Sequence, residues 1–181
     1  MVFDPNIRQE LSSSCAIKCQ QLILRDYGIN VSEKDLRDIA TLYGWYTEEE
    51  GVFMRNNGKL LGCFGIDYHH SQGNTIWMLK EELSKRHCVM VNLNHVKLSG
   101  EIVDGSYSDE ACHAVIVSQV VIGRKGTVSV INPASGQVNQ KCKMRSFLSA
   151  WEDSKNYMLA TNIPALYKYD IASKSMKKII Q

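Results

Sequence analysis

The chain has 181 residues, 44% of them hydrophobic and 22% charged, with a formal net charge of +2. That length and composition suit one globular domain able to bury a core without metal or disulfide staples, and they exclude a disordered or fibrous chain. The small charge argues against a nucleic-acid partner, no stretch approaches the roughly 18 apolar residues of a membrane span, and Asp4, Asn6, Arg8, Gln9 and Glu10 leave no signal-peptide core.

A cytoplasmic chain is therefore expected, or one that leaves by a route without such a signal. In chain order, Ser12 to Ser14 read as helix caps, and the residues after them place Ala16, Cys19, Leu22 and Ile23 on one face until Tyr27-Gly28 stops the helix. A second helix opens at Ser32 with the capping-box pattern SEKD, carries Leu36, Ile39 and Ala40 inward and ends near Tyr43-Gly44. After the acidic turn TEEEG, the stretch VFMRNNGKLLGCFG reads as a third helix, weakened in the middle by Asn56, Asn57 and Gly58. A short strand is expected around Ile66 to His69. Asn74 then caps a helix over TIWMLKEELSKRH, with Trp77, Leu79 and Leu83 among its apolar positions.

The second half changes character. CVMVNLNHV, HAVIVSQVVI and GTVSVINP are β-branched runs separated by turn signals, GRKG among them, and read as antiparallel strands. KMRSFLSAWEDS reads as a helix, NYMLAT as a strand and ALYKYDI as an edge strand, and the lysines Lys168, Lys174, Lys177 and Lys178 read as a solvated basic end. Helices first and a sheet afterwards is the α+β pattern, with the halves packed face to face and a cleft between them as the natural ligand site. The division expected is one domain over residues 1–161 and a C-terminal extension over 162–181.

Six cysteines are present: Cys15, Cys19, Cys63, Cys88, Cys112 and Cys142. Several lie inside apolar runs such as HCVMVNLN and ACHAVIVSQVVI, where a thiol behaves as a small buried hydrophobe. Only the Cys15/Cys19 spacing approaches a zinc pair, with no second pair downstream, so neither a metal nor another cofactor is called for.

Cys15 stands at a helix start, where the helix dipole and the first backbone N–H groups favour thiolate. Cys19, one turn further along on the apolar stripe, reads as core. A nucleophilic cysteine needs an imidazole base and a group to orient it. Of the five histidines, His87 reads as a helix-end cap, and His69, His70 and His95 as solvated. His113 differs, because it heads the most apolar run in the chain and so sits at the rim of the sheet. Asn132, nineteen residues later in INPASG, can come beside it on a neighbouring antiparallel strand and accept the imidazole N–H, although Asn-Pro also marks a plain turn. Gln9, six residues before Cys15, could donate its amide to an oxyanion formed there. The polar segment at residues 95–111 is a candidate lid or substrate loop, or an exposed hairpin.

Taken together, RQELSSSCAIKCQQLILRDYGINVSEKDLRDIA, Trp45, Gly51, CVMVNLN, HAVIVSQVVI, VSVINPASG and FLSAW resemble the bacteriocin-processing leader-peptidase family. That family is a branch of the papain-like cysteine peptidases, found as domains of export transporters and as stand-alone relatives. The resemblance runs over roughly residues 6–161 and implies a papain-like fold, with a helical half packed on an antiparallel sheet. It implies Cys15 as nucleophile, His113 as general base, Asn132 as orienting residue and Gln9 as oxyanion-hole glutamine, acting on a peptide or protein substrate. Two positions depart from the family pattern: Ala16 stands where glycine is usual after the nucleophile, and Asn132 where aspartate is usual before the proline. The neutral Asn132 makes a less strongly biased imidazolium–thiolate pair the expectation. The same triad would serve a glutamine deamidase or an acyl transferase, and a non-catalytic relative would keep the cleft as a peptide-binding surface.

Overall fold

The computed structural model describes residues 6–99, 113–170 and 175–179. Helices α1 (Cys15–Asp26) and α2 (Glu33–Leu42) are followed by a hairpin of β1 (Tyr46–Thr47) and β2 (Gly51–Val52), a 3-10 turn (Met54–Asn56) and the short α3 (Lys59–Cys63). Next come β3 (Tyr68–Ser71), α4 (Ile76–Ser84), β4 (Val89–Leu93) and α5 (His95–Ser99). The second half supplies β5 (His113–Val121), β6 (Thr127–Asn132), β7 (Gln137–Lys143), α6 (Met144–Glu152), β8 (Met158–Thr161), β9 (Tyr167–Asp170) and β10 (Ser175–Lys178).

Six strands make one antiparallel sheet in the order β3-β8-β4-β5-β6-β7. Strand alternation sends successive side chains to opposite faces, and each face has its own core. Met90, Ala114, Ile116 and Leu159 pack with α1 and the helical half. Val91, Val115, Val117, Val128 and Val130 pack on the other face with Leu79 of α4 and Phe147, Ala150 and Trp151 of α6. Because both faces of the central strands are covered, β4 is buried along its whole length, which is why CVMVNLN reads as a continuous apolar run.

Helix α1 is the pivot of the other layer. Every residue from Cys15 to Arg25 is buried, more than one apolar stripe would cover, because sheet, α2 and α3 surround it. Its polar members therefore have partners: Gln20 Oε1 accepts the Gly58 N–H at 3.0 Å, Gln21 donates to the Val31 carbonyl at 2.8 Å, and Lys18 lies 3.5 Å from Glu33.

The structure departs from the sequence expectation in several places. The third helix is broken: Gly58 takes φ +89° at the start of α3, and a Cβ there would lie 2.2 Å from the Tyr68 ring. Only glycine admits that turn, so residues 52–58 split off as strand and 3-10 turn. Thr75 rather than Asn74 caps α4, through a bond to the Met78 N–H at 3.3 Å, while Asn74 ties the Ser71 and Asn156 carbonyls. Trp77 on the same helix is 62% exposed instead of buried. Finally, ALYKYDI does not join the main sheet as an edge. It forms β9, which pairs with β10 in a two-stranded sheet of its own against the end of α1, where Leu166 N–H bonds the Asp26 carbonyl at 3.0 Å.

Candidate active site

Cys15 is the first residue of α1, where backbone N–H groups have no acceptor within the helix and the dipole is positive. The preceding serine does not cap it in the expected way: Ser14 makes no side-chain cap bond, and its Oγ lies 2.9 Å from the Leu11 carbonyl and 2.5 Å from Glu33 Oε1. The Cys15 sulfur meets the other half of the molecule, 3.4 Å from the Ala114 backbone nitrogen, which donates to it. Such a donor favours thiolate over thiol. Ala114 was not legible as a site residue, since a main-chain donor leaves no mark on the sequence.

Ala114 follows His113, the first residue of β5, which pairs with Leu93 at the end of β4. The His113 Nε2 lies 2.9 Å from Asn132 Oδ1, at the end of β6. The Asn132 amide has a fixed orientation, because its oxygen also accepts the Ala134 N–H at 3.1 Å and its nitrogen donates to Gln140 Oε1 at 2.7 Å. An oxygen that accepts from a main-chain N–H must also be the acceptor of the imidazole, so His113 carries its proton on Nε2. Nδ1 is then the basic nitrogen. Gln140 belongs to β7, a strand absent from the sequence expectation because QVNQKCK has the polar composition of a loop.

Both members of this pair are buried, His113 at 8% exposure and Asn132 at 1%. Burial pushes the His113 imidazole down from its ordinary 6.5 to about 4; the Asn132 hydrogen bond opposes this and the charge of His95 adds to it. A neutral imidazole at neutral pH is a base able to take a proton. His95, expected to be merely solvated, is exposed but stands edge-on to His113 with ring centroids 5.0 Å apart. His69 and His70 lie on β3, away from this pair, and His87 bonds Glu82 at 2.7 Å just past the end of α4.

Gln9 is tied to the sheet half by its backbone, which donates to the Pro133 carbonyl at 2.9 Å. Its side chain turns into its own loop: Nε2 donates to the carbonyls of Leu11 at 2.7 Å and Ser12 at 2.8 Å. Both amide hydrogens are thus engaged away from the sulfur. Cys19 is fully buried in the α1 core, and burial, with Cys15 nearby, raises its thiol well above the ordinary range.

Among the described residues all the cysteines are thiols, and no group of three His, Cys, Asp or Glu side chains could hold a metal ion. No described helix is long and apolar enough to cross a membrane. A cavity of about 580 Å³ opens between the C-terminal half of α1 and β5–β7, but Cys15, His113, Asn132 and Gln9 do not line it. The candidate site lies at the other end of α1, so the cavity does not coincide with it. The candidate lid over residues 95–111 is described only as far as α5; residues 100–112 lie outside the described residues, as does Cys112.

No family model and no curated sequence matches this chain. Solved structures do. A C39-like peptidase of Bacillus anthracis superposes with a TM-score of 0.65 at 14% identity, covering 91% of this chain and 98% of that one. The peptidase domain of Streptococcus ComA, a bifunctional ABC transporter involved in a quorum-sensing pathway, superposes with a TM-score of 0.62 at 12% identity. That match covers 88% of this chain and 97% of the domain. The chain therefore has the α+β, papain-like fold of the C39 peptidases, as the resemblance implied.

Proposed function

We propose that this chain, built on the C39 peptidase fold, is a thiol hydrolase that cleaves a peptide bond through Cys15, His113 and Asn132. One observation supports the reading: at the start of β5 the Ala114 N–H donates to the Cys15 sulfur at the head of α1, and the adjacent residue, His113, is hydrogen-bonded through its imidazole to Asn132. His113 Nδ1 takes the Cys15 proton, and the thiolate attacks the substrate carbonyl carbon. The oxyanion is held by the Cys15 main-chain N–H and by Gln9, which gives up one of its two carbonyl acceptors when substrate arrives. The imidazolium protonates the departing amine. Water, deprotonated by His113, then cleaves the thioester and restores the thiol.

Asn132 is neutral, so it orients the imidazole without supplying counter-charge. The same steps applied to a side-chain amide give a deamidase, and an amine in place of water gives a transferase. A peptide-binding protein without catalysis is the second reading, and the engaged Gln9 amide is the observation that favours it.

The experiment is digestion of a mixed peptide library followed by mass spectrometry. Cleavage products that vanish with Cys15→Ala and with His113→Ala establish the peptidase. Retention of peptides by wild type with no cleaved bond gives the binding protein.

A further inference from the structure

Glu33 is a fully buried carboxylate to which the proposed chemistry assigns no part. It opens α2, yet its contacts are mainly with the chain around the nucleophile. Its oxygens accept the Glu10 N–H at 3.0 and 3.2 Å, lie 2.5 Å from Ser14 Oγ, and face Lys18 Nζ at 3.5 Å. Arg37, one turn along α2, adds a contact at 3.3 Å and ties Glu10 by its own carboxylate at 2.6 Å. Ser14 has one proton and two acceptors within reach, and the carboxylate is the closer and stronger of them.

Glu10, Ser14 and Lys18 flank Cys15 on both sides in the chain. Residues 10–14 form the turn that enters α1, and Glu33 grips that turn at its first and last members. The lysine it pairs with lies one helical turn beyond the nucleophile. A buried ion pair is a weak source of net stability. Glu33 and Lys18 are thus better explained by the geometry they impose.

We propose that Glu33 is a positioning residue for the oxyanion site: it holds the 10–14 turn so that the Cys15 main-chain N–H points at the developing oxyanion. The proposal rests on the thiol-hydrolase reading above. It separates two properties of Cys15, since alkylation needs only the thiolate, whereas amide cleavage also needs the oxyanion donors.

The experiment compares two double variants that remove the buried charges together. In Glu33→Leu/Lys18→Met the Glu10 N–H loses its acceptor and Ser14 keeps only the Leu11 carbonyl; in Glu33→Gln/Lys18→Met a carbonyl acceptor remains at position 33. Each is measured for thermal unfolding, for kcat and KM on a peptide that wild type cuts, and for the rate at which iodoacetamide labels Cys15. The leucine variant is expected to lose about thirtyfold in kcat while KM and labelling stay within about threefold, and the glutamine variant to recover most of that loss. Ser14→Ala, which cuts the link without touching a charge, is expected to lose about tenfold in kcat at unchanged labelling, and it decides the matter if the leucine variant does not fold. A folded leucine variant with wild-type kcat, equal loss in the two double variants, or kcat and labelling falling together would each overturn the proposal. A wild type that neither cuts peptides nor labels rapidly overturns the hydrolase reading instead.

Discussion

Asn132 Oδ1 accepts the His113 Nε2 proton at 2.9 Å from an amide that Gln140 and Ala134 hold in one orientation. The imidazole is thereby committed to one tautomer without a counter-charge. Asn132→Asp adds that charge, which favours imidazolium. The acid limb of kcat/KM is expected to move to higher pH by about one unit or more relative to wild type. An unmoved limb would mean that His113 is not the group whose protonation limits the rate.

Gln140 touches Asn132 and is not a catalytic residue. Gln140→Leu leaves the Asn132 amide nitrogen without that partner and lets the amide reorient. If His113 is the base, a fall in kcat of about tenfold is expected, with KM within about twofold, since the change acts on the orientation of that base and not on substrate contacts. Steady-state kinetics on one peptide is enough to check this.

His113 also makes stability depend on pH. Its folded pKa of about 4 lies below the ordinary 6.5, so between those values the unfolded chain takes up a proton that the folded chain refuses. The stabilisation is fully present above 6.5, erodes as pH falls, and is gone below about 4, a loss of about 3 kcal/mol. Denaturant unfolding at a series of pH values should show this slope in wild type. In His113→Asn the loss of stability across that window should be smaller by that amount.

Gly51 and Gly44 both adopt left-handed backbone, with φ +73° and +66°, but only one is crowded. A Cβ at Gly51 would lie 2.8 Å from the Ser13 carbonyl oxygen, in the turn before Cys15, whereas Gly44 has open space. Gly44→Ala is expected to destabilise by about 1 kcal/mol and Gly51→Ala by about 3 kcal/mol. Chemical denaturation of the two variants isolates the contact between the hairpin and the turn that precedes Cys15.

The parts legible in the sequence were those written in periodicity. The first two helices follow from their apolar stripes, the second also from its Ser32 cap, and β4 to β6 from β-branched runs. His113 drew notice because it heads the most apolar of those runs. What could not be read was carried by tertiary contacts. Strand β7 alternates exposed residues with half-buried ones and the buried Cys142 at the edge of the sheet, so Gln140 was hidden within a loop-like string. The Gly58 break depends on the Tyr68 ring and on Gln20, each distant in the chain. Glu33 reads as an ordinary first-turn acid of α2, and only packing shows that its carboxylate serves the neighbouring helix. The Gln9 amide hydrogens go to the Leu11 and Ser12 carbonyls, a local arrangement that residue spacing does not encode.

The most direct test of the central claim is the rate of iodoacetamide labelling at Cys15, followed by mass spectrometry across pH in wild type and His113→Ala. If His113 is the base, Cys15 labels ahead of Cys19 near neutral pH, and His113→Ala slows it by about tenfold or more. Labelling of Cys15 no faster than that of an ordinary exposed thiol, or unchanged by loss of His113, would contradict the account.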